Sequence, residues 1–103
     1  MPRIQITEPA QVDIQEAFAW WAENRSAIQT AEWYEQIFEA IATLERMPER
    51  CPLVPETELS RSDIRQLLFG IGKRPTHRIV FHFDIDADTV TILRVRHHAQ
   101  DAL

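Results

Sequence analysis

The sequence predicts an α+β fold in which an antiparallel sheet carries a helix hairpin on one face. Two long stretches in the first half repeat their apolar residues at helical spacing, and one short alternating stretch precedes them. Three alternating stretches in the second half are separated only by short turns. At 103 residues the chain has the length of one domain, so residues 1–103 are predicted to form a single β-α-α-β-β-β unit.

The first strand and the first helix are predicted at the start of the chain. The stretch "RIQIT" at 3–7 alternates, and because Ile4 and Ile6 need burial, this strand is expected to pair with the sheet. Pro9 suits the first turn of a helix, where its missing N–H costs little, and the helix is predicted to end near Asn24. Its apolar stripe contains Ile14, Ala17, Phe18 and Trp21.

A second helix is predicted directly after a short break. Ser26 followed by Gln29 fits a capping box, and the helical spacing continues from Ala27 to about Met47. Its apolar stripe contains Tyr34, Ile37, Phe38, Ile41 and Leu44. Because the link between two amphipathic helices is short, an antiparallel helix hairpin is expected.

The segment "MPERCPLVPETELS" at 47–60 is predicted to be an irregular loop. It contains Pro48, Pro52 and Pro55, each of which removes a backbone N–H donor. Loops of about a dozen residues without regular structure are uncommon unless they have a function. This loop is therefore a candidate functional segment.

The three remaining strands are predicted over 63–69, 76–83 and 89–97. The connections are "GIGKRP" and "DIDAD", both typical turn sequences, so the strands are expected to form an antiparallel meander. The two helices are expected to bury their stripes on one face of the sheet, which leaves the other face open or lightly covered.

Composition excludes several classes of protein. The net charge of −5 argues against a general nucleic-acid binder, although residues 1–60 carry −7 while residues 61–103 carry +2. The single cysteine, Cys51, excludes an intrachain disulfide, so a reducing cytoplasm is the expected compartment. No apolar run approaches the roughly 20 residues of a membrane span, and nothing indicates a signal peptide. No cofactor is expected.

Strand alternation divides the residues of the predicted third strand between two faces. Ile79, Phe81 and Phe83 are expected to meet the helices, so Arg78 and His82 are expected to point away from them. The latter pair would then lie on the open face of the sheet.

The predicted last strand adds cations to the same face. Leu93 and Val95 are expected to be its core pair, so Arg94 and Arg96 are expected to alternate away from the helices. His97 and His98 follow at the corner of the sheet. Arg65 joins this surface only if Ile64 and Leu68 point inward, a choice the sequence leaves open.

These residue types suit the recognition of anions. Guanidinium groups bind phosphate oxygens in a bidentate manner, and histidines transfer protons near neutral pH. The alternative is structural, since arginines at strand edges also pair with nearby acids. The two interpretations are equally supported for Arg78, whereas the structural one is favoured for Arg94 and His82.

Neither a metal site nor a nucleophile is predicted. The aspartates of "DIDAD" match the start of a calcium loop, but Thr89 replaces its glycine and Val95 its final glutamate. The adjacent histidines His97 and His98 point apart in a strand, which does not suit a shared metal. Cys51 has no activating neighbour in the sequence and is interpreted as an incidental thiol.

Together, "DIRQLLFG", "HRIVFHF" and "VTILRVRHHAQ" resemble the RelE/ParE superfamily of type II toxins. The resemblance includes the helix hairpin and the "RCPLVPE" loop, and thus nearly the whole chain. It implies a curved sheet with two helices on one face, and a toxin that a cognate antitoxin silences. RelE-like members cut messenger RNA on the ribosome, whereas ParE-like members poison DNA gyrase. In the cutting members an arginine matches Arg78 and, in some, a histidine matches His97.

The sequence departs from the nuclease pattern near its end. Some cutting members carry a tyrosine after the histidine, where this chain has His98, and its only tyrosine is Tyr34. The resemblance is therefore closer to the ParE-like, plasmid-stabilisation branch, which implies inhibition of gyrase without a catalytic site. The alternatives are a ribosome-dependent endoribonuclease, with Arg78, His97 and His98 as its catalytic residues, and a non-toxic binding module of the same fold.

Two surfaces are expected to bind partners. The target, gyrase or else the ribosome with its mRNA, is expected to contact a positive corner of the hairpin; the candidate residues are Arg65, Arg78, Arg94, Arg96 and His97. The antitoxin is expected to cover exposed apolar surface, with Trp20 and Trp33 as candidates.

Overall fold

The computed structural model describes residues 1–72 and 74–97. The elements follow the predicted order, with one short helix added: β1 Arg3–Ile6, α1 Glu8–Asn24, α2 Ala27–Ala42, α3 Thr57–Arg61, β2 Ile64–Phe69, β3 His77–Asp84 and β4 Thr89–His97. Within those ranges, no helix combines the length and the apolar character needed to cross a membrane.

The strands form one four-stranded sheet in the order β1-β4-β3-β2. Strands β2, β3 and β4 are antiparallel neighbours, which confirms the predicted meander. Strand β1 pairs with β4 in parallel, from Arg3 opposite Thr89 to Ile6 opposite Ile92. The first strand therefore joins the sheet as predicted, and it covers only the first half of the β4 edge.

Both long helices begin at a residue whose side chain caps the first turn. The Thr7 hydroxyl accepts a hydrogen bond from the Ala10 N–H at the start of α1. At α2, the Ser26 side chain accepts from the Gln29 N–H, and the Gln29 side chain accepts from the Ser26 N–H. These reciprocal bonds confirm the capping box.

The second helix is shorter than predicted. It ends at Ala42 and continues as a 3₁₀ turn over Thr43–Glu45, whereas the prediction extended it to Met47. Met47 has a left-handed backbone with φ of 47°, and Pro48 follows it. An α-helix cannot pass through this pair, because proline restricts the residue before it and lacks a donor.

The prediction of an irregular loop after the second helix is wrong in part. Pro48–Arg50 is a 3₁₀ turn and Thr57–Arg61 is the short helix α3. Proline is compatible with the first position of such a turn, where its N–H would have no partner. Between them, Leu53 forms an antiparallel bridge with Arg65 at the free edge of β2. The segment is thus fastened to the sheet.

The main core lies between the two long helices and one face of the sheet. It buries side chains of every long element: Ala10, Ile14, Trp33, Ile37, Ile41, Phe69, Ile79, Phe81, Val90, Ile92 and Val95. The opposite face carries a smaller cluster of Val54, Ile64 and Val80, against which Leu59 and Leu93 pack. The second face is therefore lightly covered, as predicted, by the 52–61 segment.

A β-bulge changes which residues of β4 face the helices. Val80 pairs with Arg94 while Phe81 pairs with Ile92, so Leu93 is an extra residue on β4. Leu93 consequently packs in the smaller cluster on the outer face, whereas Val95 lies in the main core. The prediction that the two form one core pair is wrong, because it assumed uninterrupted alternation.

Candidate functional site

Arg78 lies on the outer face of the sheet, as predicted, but its guanidinium is bound in an ion pair with Glu56. Its Nη1 donates to Glu56 Oε1 at 2.9 Å and its Nη2 donates to Oε2 at 2.6 Å. Nη1 also donates to Gln66 Oε1 at 3.0 Å. The arginine and glutamate side chains are 13% and 19% exposed, so the pair is largely shielded from water. The Glu56 hydrogen bond raises the pKa of Arg78 and outweighs the opposite effect of burial.

Arg96 is the cross-strand neighbour of Arg78. The two residues pair directly between β3 and β4, so both side chains start on the same face. Within the described part of the chain, the Nε of Arg96 is buried without a hydrogen-bond partner. The two guanidinium groups are thus adjacent, and the described structure gives an acidic partner to only one of them.

Arg65 does not belong to this surface. It pairs with Phe81, whose side chain lies in the main core, and Ile64 points instead into the outer cluster. Its Nη1 donates to the backbone carbonyl of Cys51 at 2.7 Å and to that of Glu49 at 3.2 Å. These bonds hold the loop before α3 against β2.

Arg94 is bound to the first helix and not to the outer corner. Its Nε donates to Asp13 Oδ2 at 2.8 Å and its Nη2 donates to Oδ1 at 2.9 Å. Asp13 also accepts from the backbone N–H of Val95 at 2.9 Å. Since β1 ends opposite Ile92, this carboxylate satisfies a β4 donor where no strand pairs. The bond to Asp13 raises the pKa of Arg94.

Two histidines meet where β3 and β4 reach the end of the sheet. The rings of His77 and His97 contact edge to face with centroids 5.0 Å apart, and His77 is buried against Trp33. Next to them is a cleft of about 560 Å³, lined by α1, the β2–β3 turn and the ends of β3 and β4. His82 lies nearer the other end of β3, opposite Ile64. His98 lies outside the described residues.

Of the two tryptophans predicted to contact the antitoxin, Trp20 is exposed and Trp33 is buried. Trp20 is 49% exposed and borders the cleft, with the Arg25 guanidinium 5.1 Å from its ring centroid. Trp33 is fully buried and packs against Trp21 and Phe69. A partner cannot reach it, so the expectation that Trp33 contacts the antitoxin is corrected: its position on α2 turns it toward the sheet.

Cys51 is a buried thiol at the edge of the main core. It is 4% exposed, and burial raises its pKa, although the nearby charges of Arg50 and Arg65 lower it in part. The predominant thiol form is a poor nucleophile. Among residues 1–72 and 74–97, no three His, Cys, Asp or Glu side chains gather as metal ligands.

Cys51 is therefore expected to react slowly with a thiol reagent. At pH 8 the folded protein should react on the order of 10-fold or more slowly with Ellman's reagent than the chain unfolded in guanidinium, because both burial and the raised pKa reduce accessible thiolate. Absorbance of the released thiolate measures both rates. Equal rates would contradict the buried position.

The two ion pairs of the site were not predicted from sequence. Asp13 is 81 residues from Arg94, and Glu56 is 22 residues from Arg78. No local spacing rule connects such pairs. Only the strand order and the path of the 52–61 segment bring them together.

A family model for the ParE toxin of the type II toxin–antitoxin system parDE matches residues 4–102. The chain belongs to the ParE toxin family. This assignment confirms the resemblance to the RelE/ParE superfamily. It also supports the ParE-like branch, to which the sequence is closer.

Solved structures agree with the fold of the ParE-family chain. The chromosomal ParDE system of P. aeruginosa gives a TM-score of 0.71 at 16% identity, covering 94% of this chain and 96% of that one. The RelBE complex of E. coli gives a TM-score of 0.59 at 12% identity, covering 97% of this chain and 100% of that one. The RelBE2 complex of Mycobacterium tuberculosis gives a TM-score of 0.60 at 21% identity, covering 96% of this chain and 93% of that one. No curated protein sequence matches.

Proposed function

We propose that the chain inhibits DNA gyrase and that a cognate antitoxin neutralises it. The proposal rests on the ParE toxin model over residues 4–102, and the ParDE structure also gives a higher TM-score than the two RelBE complexes. The toxin acts by binding, so it needs no catalytic constellation. A protein antitoxin is proposed because these structural relatives come from toxin–antitoxin systems.

The state of Arg78 is the observation that carries the choice of gyrase over RNA cleavage. In a nuclease, a guanidinium at this position would neutralise the scissile phosphate and must be available to it. Here both Nη atoms of Arg78 are bound to Glu56, and Arg94 is bound to Asp13. Arg96 is the remaining strand arginine of this face, and alone it makes a weak phosphate clamp.

Two assays test the proposal directly. The purified chain is expected to block negative supercoiling of relaxed plasmid by gyrase, and messenger RNA on translating ribosomes is expected to stay intact. Expression in a bacterial host should arrest growth, and coexpression of an antitoxin encoded beside the toxin gene should relieve the arrest. Full growth with soluble protein present would instead indicate a non-toxic binding module.

His97→Ala separates the gyrase mechanism from the nuclease mechanism. We expect this variant to inhibit gyrase only modestly less than the parent chain, because the histidine would contribute contact and not proton transfer. If His97 moved the proton of an attacking 2′-hydroxyl, cleavage would fall about 10²-fold or more. Ribosome-dependent cleavage that His97→Ala abolishes, with gyrase unaffected, would contradict the proposal.

A further inference from the structure

The outer surface of α1 carries a row of exposed side chains that the core does not use. Val12, Glu16 and Trp20 are four residues apart, so they lie one above another along one side of the helix. Val12 is 47% exposed and Trp20 is 49% exposed, and Glu16 lies exposed between them. Arg25 follows at the end of the helix, and its guanidinium is close to the rings of both Trp20 and Trp21. The row therefore combines an aromatic ring with one acid and one base.

The acid and the base of this row are not paired inside the chain. Within the described residues neither Glu16 nor Arg25 forms an ion pair, although the charge of Glu16 raises the pKa of Arg94 to a small extent. The Arg25 guanidinium donates to the backbone carbonyl of Asn24 at 3.0 Å. Glu16 and Arg25 are separated by about 13 Å along the helix axis, which is too far for a direct bond within one copy. Both charges are thus available to a partner.

The spacing of these residues is self-complementary under a two-fold axis. The midpoint between Glu16 and Arg25 falls between Trp20 and Trp21. When two α1 helices lie antiparallel with their midpoints together, each Glu16 is level with Arg25 of the other copy, roughly 7 Å along the helix from the two-fold axis. The two Trp20 rings meet at the centre, and both ion pairs form at once, as an isologous interface requires. A parallel arrangement would instead place like charges together.

We propose that a second copy of the chain binds on this side of α1, with two Trp20 indoles at the centre of the interface and two Glu16–Arg25 ion pairs at its rim. An aromatic anchor surrounded by charged groups is the usual anatomy of a protein interface. The cleft of about 560 Å³ beside Trp20 leaves room for the second indole. A second copy fits better than an unrelated protein, because one chain supplies both the acid and the base at matching positions. This interface goes beyond the proposed function, since it requires neither gyrase nor an antitoxin.

Charge reversal tests the pairing between the two copies. Glu16→Arg sets two arginines against each other at each ion pair, and Arg25→Glu sets two glutamates, so each variant alone should dimerise on the order of 10-fold more weakly than the parent. An equimolar mixture of the two variants should regain the dimer, because every arginine then faces a glutamate. Sedimentation equilibrium up to about 200 µM chain measures each association. Glu35→Arg makes the same charge change at an exposed position of α2 and should leave the parent dimer unchanged.

Trp20→Ala tests the centre of the interface and should weaken the dimer about 10-fold or more, as the loss of a central aromatic anchor does. A parent chain that stays monomeric over the whole concentration range would overturn the proposal. A mixture of Glu16→Arg and Arg25→Glu that is no more dimeric than either variant alone would overturn it as well, as would equal weakening by Glu16→Arg and Glu35→Arg. A chain that dimerises as expected and leaves gyrase active would contradict only the proposed function.

Discussion

Trp33→Ala is expected to lower the free energy of unfolding by about 3–5 kcal/mol, the usual cost of removing a large aromatic side chain from a core. Trp33 is fully buried and packs against Trp21, Phe69 and His77, so its loss opens a cavity between α2 and the sheet. Urea unfolding followed by circular dichroism measures the loss.

Two further substitutions give this experiment its controls. Trp20→Ala removes the same side chain from a half-exposed position and should cost much less stability. Trp33→Phe keeps most of the packing and removes an indole N–H that has no partner in the described structure, so it should be milder than alanine. If Trp20→Ala destabilised the protein as much as Trp33→Ala, the assignment of Trp33 to the core would be wrong.

Asp13→Ala is expected to cost about 2 kcal/mol, because it leaves the Val95 N–H without a partner in the core and releases Arg94. The Asp13 side chain is 10% exposed while that of Arg94 is 40% exposed, so water screens the charge interaction in part. Most of the loss should therefore come from the unsatisfied backbone donor. Thermal and urea unfolding measure it.

Asp13→Asn separates the two contributions. An asparagine side chain keeps a carbonyl oxygen that can accept from the Val95 N–H, and it lacks only the charge that pairs with Arg94. Its cost should thus lie well below that of the alanine variant. Gln15→Ala, at an exposed position of the same helix, controls for helix propensity and should be close to neutral. If both Asp13 variants lost the same stability, the ion pair with Arg94 would account for the loss, and the hydrogen bond from the Val95 N–H would not.

The sequence was sufficient for the order of the elements because the signals are local. The alternation of Ile79 and Phe81, the capping box at Ser26 and the turn residues each act within a few positions. These signals predict strand bounds within a residue or two, and they place Arg78 correctly on the outer face. The end of the second helix was misplaced because the apolar spacing continues to Leu44, whereas the α-helix ends at Ala42 and a 3₁₀ turn carries the buried Leu44.

The candidate site depends on contacts that no local pattern contains. Simple alternation assigns Leu93 and Val95 to one face, and a single inserted residue in β4 separates them. The burial of Trp33, by contrast, agrees with helical spacing, because Trp33 lies one turn before Ile37 and α2 buries both side chains. Only the separation of Leu93 from Val95 shows a long-range pairing that overrides a short-range preference.

The sequence by itself determined the fold class, the family resemblance and the concentration of cations on the last hairpin. Only the tertiary structure decided which of those cations are available. Glu56 and Asp13 come from segments far from Arg78 and Arg94 in the chain, and the fold brings each carboxylate within hydrogen-bond distance of its arginine. An ion pair of this kind depends on positions in space, because charge interactions act between side chains whatever number of residues separates them.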